Sequence, residues 1–108
     1  MIRAMVSLDL IDSEDERDRL YEMLAAKDWK KAIDVDTVWF LSYSQYSEQT
    51  KDSTENIKAD ISSTLVGAAK ELKLKKIFYV AQIGNAEPIG RTIEKKHSDY
   101  ASYVRTPF

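Results

Sequence analysis

Asp9 is the residue whose type and position carry the most chemistry in this chain. It lies near the end of an alternating run, Ile2 to Leu10, and Asp12, Glu14 and Asp15 follow closely. Hard cations such as magnesium take oxygen ligands, often one or two carboxylates completed by water and phosphate. A two-fold axis that set Asp9 beside its own copy would hold two like charges together, which a cation or a proton between them would relieve. Asp9 is therefore the candidate metal ligand, with Mg2+ as the expected ion. Asp12, Glu14 and Asp15 have a competing explanation, because carboxylates are favoured at the positive end of a helix dipole.

The other reactive types are sparse. His97 is the single histidine, so a histidine pair cannot form, and it sits in the polar stretch Lys95-Lys96-His97-Ser98-Asp99. An imidazole there could act as a general base, but an exposed histidine is more often only solvated. No G-x-S-x-G elbow is present. The three glycines, Gly67, Gly84 and Gly90, cannot assemble a phosphate-cradling loop or a dinucleotide fingerprint. Absence of cysteine excludes a disulfide framework, a thiolate zinc site and a cysteine nucleophile. Cations cluster at Lys27, Lys30 and Lys31, at Lys70, Lys73, Lys75 and Lys76, and at Arg91, Lys95 and Lys96. With strand aromatics such as Tyr43, Tyr46 and Tyr79 beside them, lysines of this kind can hold single-stranded RNA by stacking and phosphate contact. Lys30, Lys31, Arg91, Lys95 and Lys96 are the candidate nucleic-acid-binding residues. Lysines at helix ends also serve solubility and the dipole.

These residues must be positioned by a small set of elements. Ile2, Ala4, Val6, Leu8 and Leu10 alternate with Arg3, Met5, Ser7 and Asp9, which predicts a strand. Ser13-Glu14-Asp15-Glu16 reads as a capping box opening a helix to about Ala26 that buries Leu20, Met23, Leu24 and part of Tyr21. A short strand is expected within Trp29 to Ile33, and a longer one over Thr37 to Tyr43, rich in β-branched and aromatic residues. Residues 44–53 hold little that could bury and read as a loop. A second helix is expected from Ser53 or Thr54, with Ile57, Ile61, Leu65, Ala68 and Leu72 as its apolar stripe. Ile77 to Ile83 is a near-continuous apolar strand ended by Gly84-Asn85. Beyond it, Ile89 and Ile93 bracket a helical turn running into Glu94-Lys95-Lys96, and residues 100–105 form an edge strand or a docked tail.

The order β-α-β-β-α-β predicts an α+β fold, a ferredoxin-like sandwich with an antiparallel sheet, its core at about residues 2–84 and a C-terminal extension over 85–108. Right-handed crossovers would put both helices on one face and leave the other bare. Strands 37–43 and 77–83 carry large apolar groups on both parities, so the bare face presents aromatics whichever way they turn. An apolar sheet face of that size marks an interface. The expected cover is a second copy of the chain, with the tail residues Tyr100, Tyr103, Val104 and Phe108 as the alternative.

At 108 residues the chain is one domain, with 44% hydrophobic and 31% charged residues, a composition that folds. Net charge is −2, so no global basic footprint points to nucleic acid. The charge is uneven: residues 1–60 carry 8 Lys/Arg against 14 Asp/Glu, and residues 61–108 carry 8 against 4. That split permits self-association or docking to a charged partner, and ordinary solvated faces would also produce it. No apolar run approaches the ~18 residues of a membrane span, and the N-terminus lacks a signal-peptide pattern, so the expected location is cytoplasmic.

The segments MVSLDL, LYEML, DWKKAIDVDTVWFLSYS and KIFYVAQIG together resemble the small CRISPR-associated Cas2-like and VapD-like proteins, most nearly their SinR-like relatives. The resemblance covers roughly residues 2–84 and rests on hydrophobic pattern, Asp9, Trp29 and Trp39. It implies a homodimer of ferredoxin-like domains with C-terminal strands packing across the dimer. It also implies that Asp9 supports a divalent metal for phosphodiester cleavage, usually of RNA: a metal-dependent endoribonuclease. In that mechanism the ion polarises the phosphate and lowers the pKa of a bound water. Residues 44–53 are long for the family, and the turn after Asp9 lacks the usual small polar residues. The alternative reading is a non-catalytic dimeric scaffold or an antitoxin-like module that docks to a protein partner.

Overall fold

The computed structural model describes residues 1–33, 35–85 and 89–105. The elements are β1 (Ile2–Ile11), a 3-10 turn (Glu14–Glu16), α1 (Arg17–Ala26), β2 (Lys30–Lys31), β3 (Val38–Tyr43), α2 (Lys51–Leu72), β4 (Lys76–Ile83), β5 (Ile89–Lys96) and β6 (Asp99–Arg105). Among the described residues the fold is α+β: two helices on a six-stranded sheet of order β2-β3-β1-β4-β5-β6, with every neighbouring pair antiparallel. No helix among the described residues is long and apolar enough to cross a membrane.

The alternation in β1 does what its period requires. Ile2, Ala4, Val6, Leu8 and Leu10 are buried, while Arg3, Met5 and Asp9 are exposed. Pairing with β3 and β4 extends that parity across the sheet. Trp39, Leu41 and Tyr43 face inward with Ile77, Tyr79, Ala81 and Ile83. Leu20 and Leu24 of α1 and Ile57, Ile61, Leu65 and Leu72 of α2 join them in one core, so both helices cover the same face.

The start of α1 differs from the sequence expectation. The first turn is 3-10, and Ser13 makes no side-chain cap. Its hydroxyl accepts the Lys75 backbone N–H at 3.1 Å instead, tying the α1 entry to the start of β4. The capping box lies at α2, two residues before the expected start: Thr50 Oγ1 accepts from Ser53 N at 3.0 Å, and Ser53 Oγ accepts from Thr50 N at 2.8 Å.

Residues 44–50 are more than a spacer. The Gln49 amide donates to Ile83 O at 3.0 Å and its oxygen accepts from Asn85 N at 3.0 Å, clamping the turn after β4. Gly84 sits there at φ 53, and a Cβ on it would collide with the Gln49 side chain, so only glycine fits. Tyr46 packs against the core.

The expected helical turn at Ile89 to Lys96 is a strand. β5 pairs with β4, setting Ile77 opposite Ile93, and β6 returns along β5 through the two-residue turn His97-Ser98. His97 takes φ 61. Residues 89–105 therefore widen the sheet within its own plane and do not fold over the open face; Phe108 lies outside the described residues.

Candidate nucleic-acid interface

The strand register lays the open face out in rows. One row runs Lys30, Phe40, Met5, Gln82; the next runs Val38, Ser7, Val80, Gly90. A third runs Asp9, Phe78, Thr92, Tyr103, and a fourth Ile11, Lys76, Glu94, Ala101. Arg3 and Lys96 lie at opposite ends of the same face. Met5 is 44% exposed, Phe40 46% and Tyr103 36%, values high for such groups in a folded protein. Val38, Phe78 and Val80 are half-buried.

Cations sit over this aromatic surface. Lys76 Nζ is 5.8 Å from the Phe78 ring centre and Lys96 Nζ is 5.5 Å from that of Tyr103. Lys76 also pairs with Glu94 at 3.4 Å. Arg3, Lys30 and Lys96 have no ion pair among the described residues. A surface of rings and uncommitted cations meets the two needs of a single strand, a π-face for each base and a positive charge for each phosphate.

The expected stacking residues are only partly the ones available. Tyr43 and Tyr79 point into the core, and the Tyr43 hydroxyl donates to Asp60 at 2.8 Å. Burial, reinforced by that bond, pushes the Tyr43 phenol far above its ordinary range. The sequence could not choose among these rings because β3 and β4 are apolar on both parities. β1, whose parity is unambiguous, fixes the choice through its register.

The five candidate cations do not form one patch. Lys30 and Lys96 share the open face, but they stand on β2 and β5, four strand spacings or about 19 Å apart across the sheet. Lys31 lies opposite Trp39 on the other parity, pairs with Asp36 at 3.7 Å and sits 5.6 Å from the Tyr21 ring centre. Arg91 is half-buried on the helix-covered parity opposite Tyr79, where its guanidinium donates to Gly90 O at 2.8 Å. Lys95 is exposed at the end of β5 opposite Tyr100.

Asp9 is exposed at the far end of β1, opposite Phe78. With Arg17, Tyr21, Asp36 and Thr37 it lines a recess of about 180 Å3. The Tyr21 hydroxyl donates to Asp36 O at 2.8 Å. Burial raises the Tyr21 phenol; Arg17 opposes this, while Asp36 and Asp9 add to it. Among the described residues no three or more His, Cys, Asp or Glu side chains converge as a metal cluster. Glu14 and Asp15 are exposed in the 3-10 turn, and Asp12 takes φ 58 just before it. His97 is exposed in the β5–β6 turn and borders a different recess, with Asp12, Lys75, Lys76, Glu94 and Lys95. No family model matches this chain, and no curated protein or solved structure matches it either.

Proposed function

We propose that this chain is a Cas2-like, nucleic-acid-associated homodimer that binds single-stranded RNA on the open face of its sheet. The observation that carries the reading is the set Met5, Phe40, Phe78 and Tyr103 on one uncovered face with Arg3, Lys30 and Lys96 around it. Support for the ferredoxin-like part comes from the first four strands, which read β4-β1-β3-β2 across the sheet. Each helical connection passes over one intervening strand.

Binding is tested by fluorescence anisotropy with a labelled single-stranded RNA across a salt series. Three uncommitted cations correspond to a slope of log K against log salt of about −2, at roughly 0.7 per phosphate neutralised. The Lys30→Gln/Lys96→Gln variant is expected to flatten that slope by more than half while leaving the melting temperature within a few degrees. No affinity for RNA, or an affinity indifferent to salt, overturns the reading and favours the protein-docking alternative.

A second reading, magnesium-dependent RNA cleavage, is favoured by the exposure of Asp9 on the same face. A lone carboxylate holds a cation weakly, so this chemistry calls for further oxygen ligands, such as Asp9 of a second copy facing the first. The expected result on the binding reading is that Asp9→Asn leaves RNA affinity unchanged. Magnesium-dependent cleavage by the wild type that Asp9→Asn abolishes would establish the second reading.

A further inference from the structure

The two edges of the sheet are built differently. β2 ends one side with two residues, both lysines, which is how natural sheets blunt an edge against pairing. β6 ends the other with seven residues, Asp99–Arg105, without lysine or proline. Its register with β5 runs unbroken from Lys96↔Asp99 to Gly90↔Arg105, so no bulge twists it away. Among the described residues it pairs only with β5.

The two-residue turn fixes which backbone groups remain free. The pair closing such a hairpin, Lys96 and Asp99, exchanges hydrogen bonds, so 99, 101, 103 and 105 bond inward to β5 and 100, 102 and 104 point outward. The Tyr100 N–H agrees, since it bonds to its neighbour Asp99 Oδ1 at 2.9 Å. That leaves the N–H and C=O of Ser102 and Val104 and the C=O of Tyr100 facing out.

From this geometry we propose that two copies join through antiparallel pairing of β6 about a two-fold axis at Ser102. Ser102 then exchanges two hydrogen bonds with its own copy. Each Val104 N–H donates to Tyr100 O of the other chain, giving four bonds that leave the Asp99–Tyr100 contact in place. Val104, 80% exposed in the protomer, comes opposite Tyr100. Asp99 stays with Lys70 of its own chain, 3.0 Å away, beyond the paired stretch. The strand is self-complementary in hydrogen bonding.

The contact is small, so association is concentration-dependent. The two sheets become one, with their open faces in line. The Asp9 copies lie seven strand spacings apart, roughly 34 Å, too far to share a cation. The inference does not depend on RNA binding, because its readout is oligomeric state in the absence of RNA.

Sedimentation of the wild-type chain over a range of concentrations should show a monomer–dimer equilibrium. Val104→Pro removes only an outward N–H from an exposed position, and it should be monomeric at every concentration with an unchanged circular dichroism spectrum. A wild type that stays monomeric to ~1 mM, the range of the weakest specific contacts, overturns the proposal. So does a Val104→Pro chain that still dimerises.

Discussion

Trp39→Ala is expected to destabilise the protein by about 3–5 kcal/mol, lowering the melting temperature by roughly 15 °C or more, as read by thermal or denaturant unfolding. Trp39, the second residue of β3, is 2% exposed. It meets the Tyr21 ring edge-on at 5.1 Å between centroids and Trp29 at 6.5 Å. Truncation would remove the common partner of α1 and of the residue leading into β2, leaving a cavity that flanking strands cannot close. The indole adds a second term of opposite sign. Its Nε1 is buried with no hydrogen-bond partner among the described residues, and an unsatisfied buried donor costs about 1–3 kcal/mol. Trp39→Phe keeps a ring against Tyr21 and removes that donor, so its net loss is expected below about 2 kcal/mol. A phenylalanine variant as unstable as the alanine variant would contradict this balance.

Phe40→Ala/Phe78→Ala is expected to weaken single-stranded RNA binding by at least tenfold, and by more if both rings stack on bases. Each base–aromatic stack removed by alanine costs about 1–3 kcal/mol, and each 1.4 kcal/mol is a factor of ten. On the proposed reading the two rings would meet different parts of the strand, since Phe40 lies beside Met5 and Lys30 while Phe78 lies between Asp9 and Thr92. Stability should move much less than with Trp39. Phe40 is 46% exposed, and Phe78 is half-buried on the side away from the helices. The corresponding change on the buried parity, Tyr79→Phe, should leave RNA affinity untouched. Equal loss of affinity from Tyr79→Phe would place the effect in the fold and not in the surface.

Much of the framework was legible because it rests on periodicity. β1 alternates without a break, and the stripe Ile57, Ile61, Leu65, Ala68 and Leu72 is buried as its spacing demands. The entry to α1 misled because Ser13-x-x-Glu16 satisfies the capping-box pattern, while the Ser13 hydroxyl is drawn to a backbone donor distant in sequence. β5 was missed because Ile89 and Ile93 stand four apart, a spacing both a helix and a strand allow, with Gly90 between them. Its hairpin gave no signal either. The turn uses His97 at φ 61 where asparagine or glycine would normally announce such a conformation.

The candidate site was legible in kind and not in membership. Rings and lysines on a sheet were expected, but which rings face outward depends on register with β1, a non-local fact. Asp9 was placed on the open face by its own alternation, as observed. Lys30 and Lys31 are adjacent in sequence and opposite in space, since strand neighbours face opposite sides.

The most direct test is an amide and methyl chemical-shift map recorded while a short single-stranded RNA is titrated into the protein. If the open face is the binding surface, the largest shifts fall on Met5, Val38, Phe40, Phe78, Val80 and Tyr103, with the exposed sides of α1 and α2 unmoved. Shifts concentrated along the seam between the helices, around Met23, Thr64, Gly67 and Glu71, with the open face silent, would contradict it.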